Sequence, residues 1–200
     1  MPAAKKPATA PPEPLKFATR RAFETWLRRH HADCDGTWLL LTKVGASERG
    51  LTYAEAVEVS LCHGWVDGQR KPHDETCWLQ RFTPRRPRSL WSKINRAKAE
   101  ALIESGRMQP AGLAEIARAK ADGRWECAYD GARASTVPAD LETALAAHPG
   151  AREFFATLDG ANRYAVLWRV QTAKLPATRA RRIETLVAML GRGERIHSKG

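Results

Sequence analysis

The sequence has few cysteines, and none of them shows the spacing of a metal site. The four stand at positions 34, 62, 77 and 127, with no Cys-x-x-Cys pair among them. Structural zinc sites draw their ligands from such closely spaced pairs, so a zinc ribbon or finger is not expected. His31 and Cys34 lie three residues apart on a predicted helix, but two ligands do not form a site. We therefore expect no metal and no cofactor, and cysteines that are buried apolar side chains or unreacted thiols.

Long apolar runs are also missing. The first eighteen residues contain five prolines and no continuous apolar stretch, so they predict a disordered arm and not a secretory signal. No later window reaches the roughly 18 apolar residues of a membrane-spanning helix. The sequence therefore predicts a cytoplasmic protein without a transmembrane segment.

The overall composition is that of a soluble globular protein with a strong positive bias. The 200 residues are 43% hydrophobic and 28% charged, which excludes a fully disordered chain and a collagen-like fibre. Lys and Arg number 33 against 22 Asp and Glu, for a formal charge of +11. Such a bias fits nucleic acid, anionic lipid or small polyanions as partners, or only solubility, so its position in the chain has to be found.

The first half of the chain predicts a helix, a strand, a second helix and a hairpin. Phe23, Trp26 and Leu27 fall on one face of a helix over residues 19–31. A short apolar run at 38–42 predicts a buried strand, and Thr52-x-x-Glu55 is a capping box that opens a helix ending near residue 63. Residues 65–70 and 77–82 predict two antiparallel strands, with a bend or bulge at a glycine in the first.

After residue 87 the strand signals nearly stop. Ser89 is predicted to cap a helix that ends at Gly106, and apolar spacing predicts five more helices at about 110–122, 140–147, 151–158, 161–173 and 177–190. The predicted fold class is α+β, with a small antiparallel sheet and two helices in the N-terminal half and an all-helical C-terminal half. The expected organisation is an arm at 1–18, an α+β subdomain at 19–88, a helical subdomain at 89–191 packed on it, and a flexible tail at 192–200.

The positive charge is concentrated in two regions. Residues 80–99 hold seven basic side chains and no acidic one. A second group surrounds the start of the last helix, at Lys174, Arg179, Arg181 and Arg182, not far from Trp168. Basic and aromatic side chains together can hold phosphates and stack bases. The alternative is a solvated face, or guanidinium groups stacked on Trp and paired with carboxylates elsewhere in the fold.

The first basic region predicts an anion-binding groove. Residues 83–89 place three arginines on a stiff segment that leads into the predicted helix N-terminus at Ser89, where free N–H groups favour anions. The alternative is that Ser89 is only a cap. Trp91 is the tryptophan predicted to be exposed, with Asn95 one turn away on the same face. The predicted ligand-binding residues are Arg81, Arg85, Arg86, Ser89, Trp91, Lys93, Asn95, Trp65 and Asp67.

Catalytic residues are not assigned by the sequence, although two candidates exist. His63 and Asp67 lie where a helix ends and a strand begins, a place where side chains can converge. Cys62 beside His63 suggests a nucleophile and a base, but neighbouring side chains at a helix end point in different directions. An Asp next to a glycine more often binds backbone N–H groups or an arginine than acts as a base.

Several short strings carry a family resemblance. They are SLCHGWVDG at 60–68, RFTPRR at 81–86, SxWSxxN at 89–95, Trp38, Lys43, YxEAV at 53–57, GxMxPxG at 106–112, AKxxGxW at 119–125 and AKxxxTRxxRI at 173–183. In this order they resemble the YdeI/OmpD-associated family, also called bacteriocin-protection proteins, over about residues 17–195. The resemblance implies a role in resistance to bacteriocins or cationic antimicrobial peptides, and no catalytic mechanism. The family name also implies a porin partner, whereas this sequence shows no export signal.

Three hypotheses from different classes follow. The first is a cytoplasmic, non-enzymatic stress or resistance protein whose basic groove binds a small anionic ligand. The second is a nucleic-acid-binding protein, whose affinity would fall steeply with salt. The third is a small enzyme that uses Asp67 or His63 with an arginine clamp.

Overall fold

The computed structural model describes residues 13–46 and 50–198, which form two compact units. The first unit contains the residues up to Ser89 together with Asn95–Glu126. The second contains Leu90–Ile94 and the chain from Cys127 onward. Residues 1–12 of the predicted arm and residues 199–200 of the predicted tail lie outside the described residues.

The first unit combines a four-stranded sheet with helices. Its elements, in chain order, are β1 Leu15–Lys16, α1 Arg20–His30, β2 Thr37–Thr42, α2 Tyr53–Cys62, β3 Trp65–Pro72, β4 Cys77–Pro84, α3 Lys93–Glu104 and α4 Pro110–Ala121. The sheet order is β1-β2-β4-β3, with β4 antiparallel to both of its neighbours. The first two residues of α3 are counted with the second unit.

Local sequence signals explain where the first helices begin. The Thr19 side chain accepts a hydrogen bond from the backbone N–H of Ala22, so α1 begins at the next residue. Thr52 and Glu55 form the predicted capping box, because each side chain accepts a hydrogen bond from the other residue's backbone N–H. Gly64, with φ of +73°, lies between α2 and β3 in the left-handed region that favours glycine.

The predicted irregularity at Gly68 is confirmed as a register shift between Asp67 and Arg70 in the β3–β4 pair. Gln80, which is buried on β4, donates from Nε2 to the carbonyl oxygens of Gly68 (2.9 Å) and Gln69 (3.2 Å). The glutamine side chain thereby provides hydrogen bonds to two carbonyl groups at the register shift. The largest fully buried side chains of this unit are Trp65, Phe23, Phe82, Leu27, Leu39, Leu41, Leu51 and Val59.

The second unit is helical. Its helices are α5 Ala139–Ala146, α6 Pro149–Ala156, α7 Gly160–Gln171 and α8 Pro176–Gly191. Pro149 and Pro176 stand in the first turn of α6 and α8, where a missing N–H costs nothing, and Asp159 caps α7 through the N–H of Asn162. The core residues of this unit are Leu141, Leu145, Ala151, Phe155, Leu158, Val166, Leu167, Val170, Ile183, Leu186, Val187 and Leu190.

The predicted α+β class is confirmed, with the sheet in the N-terminal part and helices after it. The sheet is not wholly antiparallel, because Leu15–Lys16 pairs in parallel with β2. This short strand lies at residues 15–16, within the last part of the predicted arm. Within the predicted tail, the N–H of His197 donates to Asn162 Oδ1 at 2.8 Å.

The prediction that Ser89 caps a helix is wrong, because α3 begins at Lys93. The Ser89 hydroxyl instead accepts a hydrogen bond from the Arg86 N–H at 2.9 Å, which closes a turn. Residues just before α3 pair with Tyr129: Ser92 forms a β-bridge with it, and the Lys93 N–H donates to its carbonyl oxygen at 2.9 Å. This extended pairing keeps the chain out of helical geometry until Lys93.

Within residues 13–46 and 50–198, every helix is too short or too polar to cross a lipid bilayer.

Candidate anion-binding pocket

The predicted groove residues are divided between the two units. Those in the first unit are Trp65, Asp67, Arg81, Arg85, Arg86, Ser89 and Asn95, together with the catalytic candidate His63. Trp91 and Lys93 belong to the second unit.

Arg85 is part of a buried ionic cluster in the first unit. The residue is 5% exposed, its N–H donates to the Gly64 carbonyl oxygen, and its own carbonyl accepts from Arg118 Nη2 at 3.4 Å. Arg118 also pairs with Glu115. Burial raises the pKa of Glu115, and the nearby positive charges of Arg118, Arg85 and Arg124 oppose that rise. The hydrogen bond from Arg118 to the Arg85 carbonyl, beside the Arg118–Glu115 ion pair, therefore connects the segment after β4 with α4.

Arg124 extends this scaffold. Its Nε donates to Asp122 Oδ2 at 2.7 Å, and its Nη1 donates to the Ser89 carbonyl oxygen at 2.7 Å. The side chain is almost fully buried. Ser89 is thus used by its hydroxyl and its carbonyl to hold the segment after β4 in place.

Arg81 and Arg86 have different surroundings. The Arg81 guanidinium lies 5.9 Å from the centre of the Trp38 ring, within range of a cation–π interaction. Arg86 is exposed, while Asn95 is half-buried on α3. Whether these three residues bind an anion stays a prediction.

The prediction that Trp91 is exposed is wrong, since its side chain is 2% exposed. Its carbonyl accepts the N–H of Tyr129 at 3.0 Å, so the residue is fixed from both its backbone and its buried ring. Lys93 remains at the surface, where its Nζ lies 2.8 Å from Asp130 Oδ1. Its charge is therefore paired within the second unit.

The catalytic candidate His63 and its neighbour Cys62 are both buried. His63 is 4% exposed, and its ring centre lies 5.3 Å from that of His31. Burial and the neighbouring His31 lower the pKa of His63, which favours the neutral ring. Burial raises the pKa of Cys62 to about 11, so this thiol stays protonated at neutral pH and is a poor nucleophile.

Asp67 and Trp65 are engaged in structural hydrogen bonds. Asp67 Oδ2 accepts from the Tyr53 hydroxyl at 2.7 Å. Trp65 Nε1 donates to the His31 carbonyl oxygen at 3.2 Å. These contacts join β3 to α2 and to the end of α1. Within the described ranges, no group of three His, Cys, Asp or Glu side chains is arranged to hold a metal ion.

A large pocket opens in the second unit, around the second basic region. Its volume is about 780 Å³, within the range of small-molecule sites. It is lined by Leu90, Trp168, Arg169, Thr172, Arg181, Arg182, Thr185, Leu186, Met189, Arg195 and Ile196. We call this set the arginine pocket. Among the described residues, its lining contains four arginines and no acidic side chain.

The arginines of this pocket bond mainly to neutral groups. Arg182 Nη1 donates to the Arg169 carbonyl oxygen (2.7 Å) and to Thr172 Oγ1 (3.2 Å). Arg169 Nη1 donates to the Ala165 carbonyl oxygen at 3.0 Å. Neutral acceptors orient a guanidinium but do not cancel its charge. Both arginines therefore carry their full charge at the pocket.

The other two arginines are less tightly bound. Arg181 is exposed, and its guanidinium has neither a hydrogen-bond nor an ion-pair partner within residues 13–46 and 50–198. Arg195 lies 5.8 Å from the centre of the Phe154 ring, and its charge contributes to lowering the pKa of Asp159. Both side chains are on long flexible stems that can reach a bound group.

Arg179, also in the second basic region, has a different role. Its Nη2 donates to Asp140 Oδ1 at 2.9 Å, and its Nη1 donates to the Val170 carbonyl oxygen at 2.8 Å. The hydrogen bond from Arg179 lowers the pKa of Asp140. Within the second basic region, Arg179 therefore forms a structural ion pair, whereas Arg181 and Arg182 line the arginine pocket.

The polar side chains of the arginine pocket, as far as the structure describes it, are arginines and threonines. The two threonine hydroxyls donate to helix carbonyls, Thr172 to Trp168 and Thr185 to Arg181, each at 2.8 Å. The sequence pointed to Arg181 and Arg182 only as members of the second basic region, and neither was predicted as a ligand-binding residue. Arg169 and Arg195 were missed altogether. Only the position of Arg169 beside Trp168 signalled its place here.

Comparison with known families gives two matches. Residues 15–115 match the family model described as "Domain of unknown function (DUF8412)". Residues 134–193 match the model described as "Bacteriocin-protection, YdeI or OmpD-Associated", which confirms the predicted resemblance over this range. No curated protein and no solved structure matches the chain.

Proposed function

We propose a binding function for this chain, which belongs to the domain-of-unknown-function family over residues 15–115 and carries the bacteriocin-protection match at residues 134–193. The protein is a cytoplasmic, non-enzymatic protection or stress protein that binds a small anionic ligand in the arginine pocket. This proposal assigns the anionic ligand to the second basic region, whereas the sequence prediction had assigned it to a groove at residues 80–99.

One observation carries this proposal: in the part of the chain that the structure describes, four arginines and no carboxylate line a pocket of about 780 Å³. A guanidinium presents several N–H donors in a planar fork that matches phosphate and carboxylate groups. Arg169 and Arg182 are already oriented by backbone carbonyls, which reduces the entropy lost when a ligand binds. The pocket is therefore preorganised for an anion.

The net charge argues for an indirect route to protection. A protein of formal charge +11 repels cationic peptides through its net charge, so it does not sequester them by bulk charge. An anionic ligand instead couples the protein to signalling or to envelope metabolism inside the cell.

The test combines binding and survival. Inorganic phosphate is titrated calorimetrically into the wild type and into Arg181→Gln/Arg195→Gln. The two side chains make no hydrogen bonds to the backbone within the described part of the chain, so the variant keeps its fold. Arg133→Gln/Arg152→Gln removes two exposed charges of the same unit away from the arginine pocket and is the matched control.

We expect the pocket variant to bind phosphate at least about tenfold more weakly and the control to bind like the wild type. Survival of a bacteriocin-treated strain should fall with the pocket variant only. Equal phosphate binding by all three proteins would remove the arginine pocket as the site. Full survival with a pocket variant that no longer binds would separate protection from the pocket.

The nucleic-acid and enzyme hypotheses make different predictions. A nucleic-acid function requires binding of a short oligonucleotide that falls steeply with salt and is lost when the cations at residues 80–99 are neutralised. An enzyme requires an activity that Asp67→Asn or His63→Ala removes. Neither variant touches the arginine pocket, so each outcome is independent of the phosphate titration.

A further inference from the structure

The lining of the arginine pocket also indicates which kind of anion it takes. We propose that the ligand is a phosphate monoester with an apolar body, such as an alkyl or prenyl phosphate. This inference rests on the proposed function and adds the ligand class. It draws on two properties of the lining, the apolar surface and the number of uncancelled charges.

The apolar surface is the first property. Beside its arginines the pocket is lined by Leu90, Trp168, Leu186, Met189 and Ile196. Leu186 belongs to the core of the unit, while Met189 and Ile196 are only partly buried against that core. A free inorganic anion leaves such a surface in contact with water. An apolar group attached to the anion covers it, and each methylene buried adds to affinity.

The number of charges is the second property. Arg169 and Arg182 bond to neutral oxygens, and Arg181 has no partner within the described residues. Three positive charges at one pocket therefore lack a carboxylate. A phosphate monoester carries a charge of about −1.5 to −2 at pH 7, whereas a carboxylate or a sulfate ester carries −1. The monoester thus matches the pocket better than either singly charged headgroup.

The position of the charges fits one headgroup. Arg181 and Arg182 are neighbours on α8, Arg169 is on α7, and the Arg182 guanidinium lies within 2.7 Å of the Arg169 carbonyl oxygen. Met189 is two turns further along α8 from Arg182 and half-buried. The α8 residues thus place cations at one part of the pocket and apolar groups at another, as a headgroup and a tail require.

The experiment compares four small probes below their aggregation concentrations. Octyl phosphate, octanoate, inorganic phosphate and 1-octanol are titrated calorimetrically into the full chain at pH 7.5. We expect octyl phosphate to bind at least about tenfold more tightly than inorganic phosphate, because burial of only two methylenes supplies that factor. Octyl phosphate should exceed octanoate by a similar factor, and octanol should not bind.

Two variants assign the headgroup and the tail. Arg181→Gln/Arg195→Gln should weaken octyl phosphate and inorganic phosphate by the same factor. Met189→Gln should weaken octyl phosphate several-fold and leave inorganic phosphate unchanged, because it adds a polar group only to the apolar part. Arg133→Gln/Arg152→Gln again serves as the control, and circular dichroism checks that each variant is folded.

The outcomes separate the two proposals. Equal affinity for inorganic and octyl phosphate would overturn the apolar ester while leaving an anion site in place. Octanoate as strong as octyl phosphate would overturn the phosphate headgroup. Failure of every anion to bind would overturn both proposals. Binding of octyl phosphate that Arg181→Gln/Arg195→Gln leaves intact would place the ester outside the arginine pocket.

Discussion

Gly64 provides a sharp test of the packing in the first unit. It has φ of +73°, and a methyl group added there would lie 2.9 Å from both the Ala111 carbonyl oxygen and Glu115 Cγ. The left-handed conformation alone costs a non-glycine residue about 1–2 kcal/mol. Forcing a methyl group against the backbone of α4 costs a further 1–3 kcal/mol or so. Alanine regains about 0.4–1 kcal/mol from the unfolded chain. We therefore expect Gly64→Ala to lower the free energy of unfolding by about 1–5 kcal/mol, with about 3 kcal/mol as the central value.

Gly123→Ala is the matched control for this change. Gly123 has the same φ of +73°, but a methyl group there would meet no atom within 4 Å. The control therefore contains the backbone cost and the unfolded-state gain without the steric contact, about 0–1.6 kcal/mol in sum. The difference between the two variants isolates the close approach of Gly64 to α4.

Urea unfolding followed by tryptophan fluorescence measures both variants. Five of the seven tryptophans lie in the first unit, so the signal reports mainly on its unfolding: Trp26, Trp38, Trp65, Trp78 and Trp125. The midpoint should fall more for Gly64→Ala than for Gly123→Ala at an unchanged denaturant slope. Equal midpoints for the two variants would show that Gly64 does not pack closely against α4, and would contradict the expected steric cost.

Three further predictions concern other parts of the chain. Gly112→Ala should lower the stability of the first unit by about 1–3 kcal/mol in urea, because the methyl would lie 2.5 Å from the Cys62 carbonyl oxygen; an unchanged midpoint would contradict this close packing of α2 and α4. Arg179 lowers the pKa of Asp140, so Asp140→Asn should reduce thermal stability at pH 7, where the wild-type ion pair is intact. The difference should shrink as the pH falls below the ordinary value of 3.8 and through the lowered pKa, where the wild-type carboxyl becomes protonated; a difference that does not change with pH would refute the ion pair as its source. In a thiol titration at pH 8, exposed Cys127 should react rapidly and buried Cys62 only on unfolding, and rapid loss of both thiols would contradict the fold around α2.

Local signals predicted the regular elements well because their causes are local. The capping box at Thr52, the apolar spacing of the C-terminal helices and the glycine bend in β3 all act over a few residues. The start of α3 was predicted wrongly, since a distant residue, Tyr129, decides it. The pairing with Tyr129 therefore overrides the capping signal at Ser89, and this pairing cannot be read from the residues near Ser89 in sequence.

The candidate site shows the same limit. The density of positive charge predicted an anion site at residues 80–99. In the structure, Arg85 is buried and Lys93 is paired with Asp130. The arginine pocket has fewer cations in sequence, but it collects them from α7, α8 and the segment after α8. Composition finds a charged stretch, whereas only the fold shows which charges lack a carboxylate.

The most direct test of the account is a crystal structure of the protein grown with octyl phosphate. We expect the phosphate to lie within hydrogen-bond distance of Arg181 and Arg182, and its alkyl chain to pack against Trp168 and Met189. A phosphate bound instead at Arg81 or Arg86, with the arginine pocket containing only water, would contradict it.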